Sequence, residues 1–346
     1  MPCLIEKALR ADASLPDWIQ TIQKTASERI SKIPFPSKKQ EHWKYLPIEN
    51  LENIEFETIT IDPKVKKILG EFESAIADES YKIFLFNGKV VKIDDQLNRI
   101  IEIHQLSDCN IFTGGFNTLF EKPQTSDPFF YYLNSGMLID GLLLHIPQKT
   151  SLDFPIHIIN LGASEKSVIS SPRLGIKIAP NSNIKLIEEF YVLNDLNSLT
   201  NSVTQIEIGS NASLCHDRIL NSSPHNYHFG QLHFDLSENS KLQSNSLAID
   251  GKITRIDLSV SLNERGSECD LKGLYLCKGE GIVDHHTAIF HNSKHTKSAE
   301  LYRGVINDSG LGIFNGKVIV DKAISNISAT QYNNNLLLSD LASANT

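Results

Sequence analysis

The sequence predicts a mainly β protein, a solenoid of roughly 200 residues behind a helical N-terminal region. Three observations predict it. Helical periodicity disappears after Gly141. From there, short β-type runs alternate with corners rich in Asn, Ser, Gly and Asp. The same stretch carries a weak repeat, a small residue, any residue and then an apolar one just after a polar corner: Thr150-x-Leu152, Ser182-x-Ile184, Ala212-x-Leu214, Ser240-x-Leu242 and Ser267-x-Cys269. The last members are 32, 30, 28 and 27 residues apart, a solenoid-sized period. With strands and corners only, a solenoid means a β-helix, in which each coil stacks on the last around a shared core. From pattern alone a β-sandwich stays open.

In chain order, Leu4 to about Ile33 reads as a helix. Leu15, Trp18, Ile19, Ile22, Ala26, Arg29 and Ile30 recur at spacings of three and four, and Pro34 and Pro36 end it. The run from Glu41 to Leu51 reads as a loop pinned by Trp43 and Tyr45. A second helical pattern spans roughly Pro63 to Ala77. Two β-rich runs joined by Asn87-Gly88 predict a hairpin with a type I′ turn. A short helical region follows between Thr125 and Ile139, with Phe129, Phe130, Tyr132, Leu133 and Leu138 as packing residues. Strands are then predicted at 142–146, 156–159, 174–178, 184–190, 203–208, 231–236 and 255–262. The chain divides into an N-terminal helical region (1–80), a small α+β connector (81–140) and the β-helix core (141–346).

Composition narrows the function classes. A formal net charge of −8 argues against non-specific nucleic-acid binding. No apolar run reaches the ~18 residues of a membrane span, and Met1 to Lys7 lacks the form of a signal peptide. The cysteines (Cys3, Cys109, Cys215, Cys269 and Cys277) are odd in number with no Cys-x-x-Cys pair, which suits reduced thiols in a cytoplasm.

The chemistry candidates are mostly histidines. Asp284-His285-His286-Thr287 is followed by His291 and His295. On a strand, His285, Thr287, Ile289 and His291 share one face, and Asp284, His286, Ala288 and Phe290 the other. His285 and His291 then stand roughly 20 Å apart, too far to share an ion, so hydrogen-bonding or interface roles are expected. Cys215 and His216 point to opposite faces and are badly placed to share a proton. His225, His228 and His233 read as surface residues of a polar corner. Phosphate loops, dinucleotide fingerprints and Gly-x-Ser-x-Gly elbows are absent. A β-helix glycan-active enzyme, a lyase or hydrolase, would need recurring acidic pairs. Asp235, Asp250, Asp257 and Asp270 do not recur at one coil position. Catalytic, cofactor-binding and metal residues are therefore assigned as none.

Several segments resemble a known family. They are Asp284-His285-His286-Thr287 with His291, Ser298 and Tyr302-Arg303-Gly304; Phe314-Asn315-Gly316 with Ala323, Gln331, Asn333, Asn335, Leu336-Leu337-Leu338-Ser339 and Ala342; Ile146-Pro147 with Leu152-Asp153-Phe154-Pro155; and Gly251 with Arg255-Ile256-Asp257-Leu258. Over nearly the whole chain this is similar to the SufB/SufD family of iron–sulfur cluster assembly scaffold subunits. Glu41-x-Trp43-Lys44-Tyr45, Phe86-Asn87-Gly88, Leu133-Asn134 and Asp140-Gly141 resemble its SufD branch rather than the paralogue SufB.

The resemblance implies a right-handed parallel β-helix between helical N- and C-terminal parts. It implies a non-enzymatic cytoplasmic subunit of the SufBCD complex, with a SufB-like partner at the end of the β-helix. A SufC-like ATPase is expected on the C-terminal helical part, and self-association of the isolated chain is left open. The iron–sulfur cluster is expected transiently at the SufB–SufD interface, with no cofactor held tightly by this chain. The family's cluster-binding His lies in an Asp-Asp-x-x-Cys-x-His-Gly-Ala-like segment after the Leu-Leu-Leu block. This sequence ends at Thr346 before such a segment, so that part is expected to be absent. His285, His286 and His291 match family positions and are not assigned as ligands. The Gln331–Asn335 run is expected to pair with a partner's strand edge. A free-standing His-rich metal binder is a further rival reading.

Overall fold

The computed structural model describes residues 3–8, 14–58, 65–75, 79–109, 117–120, 127–163, 166–193, 196–322 and 324–346. Pro63, Ala77, Thr125 and Ala323, each used above, lie outside them. From Leu142 onward the chain is a parallel β-solenoid of about seven turns. Each turn gives one strand to each of two facing sheets.

The first sheet stacks Leu142–Ile146, Arg173–Ile178, Ser198–Ile208, Asn226–Leu236, Ile253–Leu262, Ile282–His291, Leu311–Val320 and Ser343–Asn345. The second stacks Ile156–Gly162, Asn183–Val192, Ser213–Asn221, Lys241–Ile249, Glu268–Cys277, Lys297–Ile306 and Ser328–Leu337. Between the sheets, alternate residues form one apolar core, including Ile184, Leu214, Leu242, Ile256, Val260 and Ile289.

The sequence repeat is a line of register in the second sheet. Ile184 pairs with Leu214, Leu214 with Leu242, Leu242 with Cys269, Cys269 with Ser298 and Ser298 with Ala329. The corner before each strand explains the small residue. The residue preceding it is left-handed: Lys149 (φ 63°), Asn181 (62°), Asn211 (57°), Asn239 (54°), Gly266 (76°) and His295 (60°). Asn, the commonest side chain there, tolerates that conformation well. From Ser182 onward the small residue is buried under the bend, and in three corners its hydroxyl closes the turn. Ser240 Oγ donates to the Ser237 carbonyl (2.8 Å), Ser267 Oγ to Glu264 (2.7 Å) and Thr296 Oγ1 to Ser293 (3.1 Å). His295 is thus a corner residue and not a member of a cluster.

The start of the solenoid is closed by the chain itself. Glu102–Gln105 lies antiparallel on Leu142–Ile146. Tyr81–Phe86 extends the second sheet and is followed antiparallel by Lys89–Ile93. The hairpin forms as read, with Asn87 and Gly88 both at positive φ (52° and 86°). N-terminal segments cover the outer face of the first sheet. Trp43, Phe129, Phe130 and Leu133 pack against Leu199, Tyr227, Phe229 and Ile253, and Phe130 stacks on Phe229 at 3.9 Å.

Some elements differ from expectation. The first helix is two, Cys3–Ala8 and Asp17–Ile30. Pro16 is held extended (φ −54°, ψ 144°) and lacks the N–H that a continuous helix needs there. Its buried stripe is Trp18, Ile19, Gln23, Ala26 and Ile30, whereas Arg29 is exposed. The second helix is Val65–Ala75 and the third Phe129–Gly136. The Glu41–Leu51 run is two 3-10 turns, Glu41–Trp43 and Ile48–Asn53. Trp43 pins it, but Tyr45 is exposed. Strands Ser198–Ile208 and Asn226–Leu236 begin five residues earlier than read, because Ser, Thr, Asn and His there are buried in sheet positions.

A polar layer crosses the middle of the core. Glu188 accepts from His216 Nε2 (3.0 Å), Arg218 Nη1 (3.1 Å) and Thr204 Oγ1 (2.9 Å). Arg218 Nη2 donates to Ser202 Oγ (2.7 Å). Burial alone would raise the Glu188 pKa. Arg218 and His216 outweigh it and hold the carboxyl at about 2. Glu188→Ala strands a buried guanidinium, and a loss of about 3–5 kcal/mol is expected in urea denaturation at pH 7. Because the folded pKa is depressed, Glu188's contribution is present above about pH 4.5 and is lost as pH falls towards 2. The penalty for the variant should shrink over that window.

Candidate interface at the open end of the solenoid

The last coil ends the stack without a covering element among the described residues. Ser328–Leu337 pairs only with Lys297–Ile306. Ser328 N–H donates back to Thr296 (3.1 Å) and Leu338 N–H to Ile306 (2.8 Å). Strand alternation therefore turns the amides of residues 329, 331, 333, 335 and 337 to the open edge. In the other sheet, Ser343–Asn345 covers only Leu311, Gly312 and Ile313, leaving Phe314 to Val320 with a bare edge. Apolar side chains crowd this end. Tyr332 is 64% exposed, Leu336 57%, Leu338 56% and Leu341 76%, well beyond the scattered apolar exposure of an ordinary surface.

Behind the edge is a second buried polar layer. His285 sits between the rings of Tyr275 (5.3 Å) and Tyr302 (5.2 Å), and Tyr302 packs on Phe314 (4.7 Å). Glycines make room for the rings. A Cβ on Gly273 would run into Tyr302, and one on Gly304 into Tyr275 and Asn335. Tyr275 donates to Asn335 Oδ1 (2.6 Å), and Asn335 Nδ2 to Asn333 Oδ1 (2.8 Å). Glu300 faces this layer beside Thr287, and the two His285 nitrogens are unpartnered. Burial pushes Glu300 up to about 7 and His285 down to about 4.

The candidate residues separate as strand geometry requires. His285, Thr287 and His291 point inward, and Asp284 and His286 lie on the covered outer face. His291 is a core residue bonded to Thr296 Oγ1 (2.6 Å) and Ser298 Oγ (3.0 Å). Cys215 is half-buried on the outside while His216 is bonded inside to Glu188 and Ser244. The surface reading holds for His225 only. His228 faces Arg218 and Ser202 inside (both 3.3 Å), and His233 bonds Ser259 (2.7 Å) beside Tyr131. Both lie inside a strand that starts directly at Asn226, so the polar residues that resemble a corner are buried sheet positions. The described cysteines are free thiols. Sequence reading missed Glu300; its signal is position, one register step inward from Tyr302 on the same face.

The family described as SUF system FeS cluster assembly, SufBD core domain, matches residues 160–346, more than half of the chain. The chain belongs to the SufBD family. It is 24% identical over 329 residues to the iron–sulfur cluster assembly protein SufD of Escherichia coli, covering 92% of this chain and 74% of that protein. Bacillus subtilis SufD is 22% identical over 350 residues, 94% and 77% of the two chains. A SufBD family protein of Synechocystis is 22% identical over 340 residues, 93% and 74%. Among the described residues no helix is long and apolar enough to cross a membrane.

Glu300 gives this layer a pH signature. Its folded pKa, about 7, lies above the usual 4.5, so the folded state loses stability as pH rises through that interval. Glu300→Gln is expected to match the native protein near pH 4 and to exceed it by up to about 3 kcal/mol at pH 8. Denaturation curves at several pH values check this, and a constant difference would refute it.

Proposed function

We propose that this chain is a non-catalytic scaffold subunit of the SufD kind in a cytoplasmic SufBCD-type complex. It pairs with a SufB-like subunit and is coupled to a SufC-like ATPase that supplies the energy. The iron–sulfur cluster is cargo, assembled between subunits and not held by this chain alone. The observation that carries the reading is the contrast between the two ends of the solenoid. One is capped by the chain's own strands. The other offers free amides, Val318 and Val320 at the core edge, and the leucines at 336–338. An open edge with exposed apolar side chains fits a permanent protein partner. In this reading residues 1–80 are the N-terminal helical region, 81–140 the connector and 141–346 the scaffold core.

The edge amides give a clean test. Pro at 333 and 335 removes donors that face the open edge while leaving the backbone hydrogen bonds to the preceding coil, and Asn333→Ala/Asn335→Ala controls for the loss of the Tyr275–Asn335 side-chain bond. The double variant Asn333→Pro/Asn335→Pro should fold, by circular dichroism, and bind a SufB-like partner at least about tenfold more weakly in calorimetry, the cost of about 1.4 kcal/mol or more. Unchanged affinity would place the partner elsewhere. Self-association that disappears in the same variant would identify the edge as a homodimer surface instead.

A further inference from the structure

The pentapeptide Phe-Asn-Gly-Lys-Val occurs at two places in the chain, Phe86–Val90 and Phe314–Val318. An Asn followed by Gly is the dipeptide most open to spontaneous ring closure. The glycine amide nitrogen attacks the Asn Cγ, and glycine has no Cβ to hinder the approach. The neighbouring residues are the same in both copies, so a difference in reactivity between them comes from the fold.

The first copy is locked. Asn87 and Gly88 form the hairpin turn, and Asn87 is buried. Both ends of its side-chain amide are used. Nδ2 donates to the Ala163 carbonyl (2.8 Å), and Oδ1 accepts from the Ala163 N–H (3.0 Å). To reach the Gly88 nitrogen, Cγ must break both bonds and strand the buried groups that made them.

The second copy lies on the bare part of the first-sheet edge. Asn315 is exposed on the outer face, and among the described residues no hydrogen bond holds its side chain. The Leu311 N–H donates back to Gly281 (3.0 Å), whereas the Gly310 carbonyl accepts from Ser343 on the open side (3.0 Å). Alternation along the strand therefore turns the Gly316 N–H to the open side as well. Ser343–Asn345 reaches only to Ile313, so among the described residues that amide has no acceptor. The nucleophile and the carbon it attacks are adjacent in the chain, and neither is tied. The backbone must still swing out of the extended form to bring them together. The pairing of Asn315 with His286 on the preceding coil opposes that swing from one side only.

We propose that Asn315-Gly316 is a site of spontaneous deamidation, which marks the open edge of the solenoid with a carboxylate. The Gly316 nitrogen gives its proton to a solvent base and bonds to Asn315 Cγ. The Cγ–Nδ2 bond breaks, and the nitrogen leaves with a proton from water as ammonia. The cyclic imide then takes up one water. Opening at one carbonyl leaves an aspartate at position 315, and opening at the other leaves an isoaspartate. Either product adds a negative charge to the face that carries Lys317. Isoaspartate also adds a main-chain carbon, which breaks the alternation of Gly316, Val318 and Val320. The modification needs only this chain and is independent of any partner at the edge.

The test keeps the full chain folded in mildly alkaline buffer, where the amide is more readily deprotonated. Samples are mapped by proteolysis and mass spectrometry, with isoaspartate identified by enzymatic methylation. Asn315 should convert at least about tenfold faster than Asn87, as two buried hydrogen bonds to be opened first imply. In urea, with the fold lost, the two copies should convert at equal rates because their sequences match. Asn315→Gln should remove the product at that position and keep the circular dichroism of the native chain. Equal rates at the two copies in the folded chain overturn the proposal. So does an Asn315 that stays intact in the folded chain while the urea-unfolded chain reacts.

Discussion

In a parallel stack the backbone of each coil satisfies its hydrogen bonds only on the coil before and the coil after. A slip of one residue would turn every core side chain outward. The solenoid meets this constraint at one kind of corner, a left-handed residue followed by a small buried one, placed ahead of the five second-sheet strands that begin at Asn183, Ser213, Lys241, Glu268 and Lys297. Length varies at the opposite corners. Residues 193–197 become 222–225 and then 250–252, shrinking the repeat from 30 to 28 to 27 without disturbing the register line from Ile184 to Cys269. The drift that weakens the sequence period falls between strands on both sides, since the corner 237–240 becomes 263–267 in the next coil, and what recurs is the left-handed and small pair rather than a corner length.

The same hydrogen-bond demand falls on both ends of the stack. At the beginning it is met internally, because antiparallel strands reverse the growth direction and cannot template another coil. At the other end the strands continue parallel to the last residue that pairs, and the side chains along them are apolar. The stack therefore has a direction: among the described residues, only one of its two ends leaves a parallel edge unpaired.

Much of this was legible in the sequence. The corner repeat at Ser182, Ala212, Ser240 and Ser267 names the buried corner residues of the folded coils. Asn87-Gly88 marks its turn, and alternation sorts His285 from His286 correctly. What escaped has physical reasons. Pro16 was outweighed by an apolar stripe on either side of it. Strands opening with Ser198 or Asn226 carry polar residues into burial, which composition reads as corner. Glu188, Arg218 and Glu300 look like solvent-facing charges until coil stacking brings them inside. Arg255 bonds the His42 carbonyl, joining Glu41–Trp43 to a strand more than 200 residues away, and no local pattern encodes that distance.

The segments that carry the family resemblance are, on inspection of their contacts, packing motifs. In Tyr302-Arg303-Gly304 the outer residue is exposed, while the inner pair interlocks with Gly273 and Tyr275 of the preceding coil. In Phe314-Asn315-Gly316 the aromatic fills the space above Tyr302 and the glycine clears Gln331. Such interlocking sets the height and tilt of the final coil, and so the position of the open edge. Glu300 stands directly across from Gln331 in the final coil, which buries a titratable group one layer behind the edge.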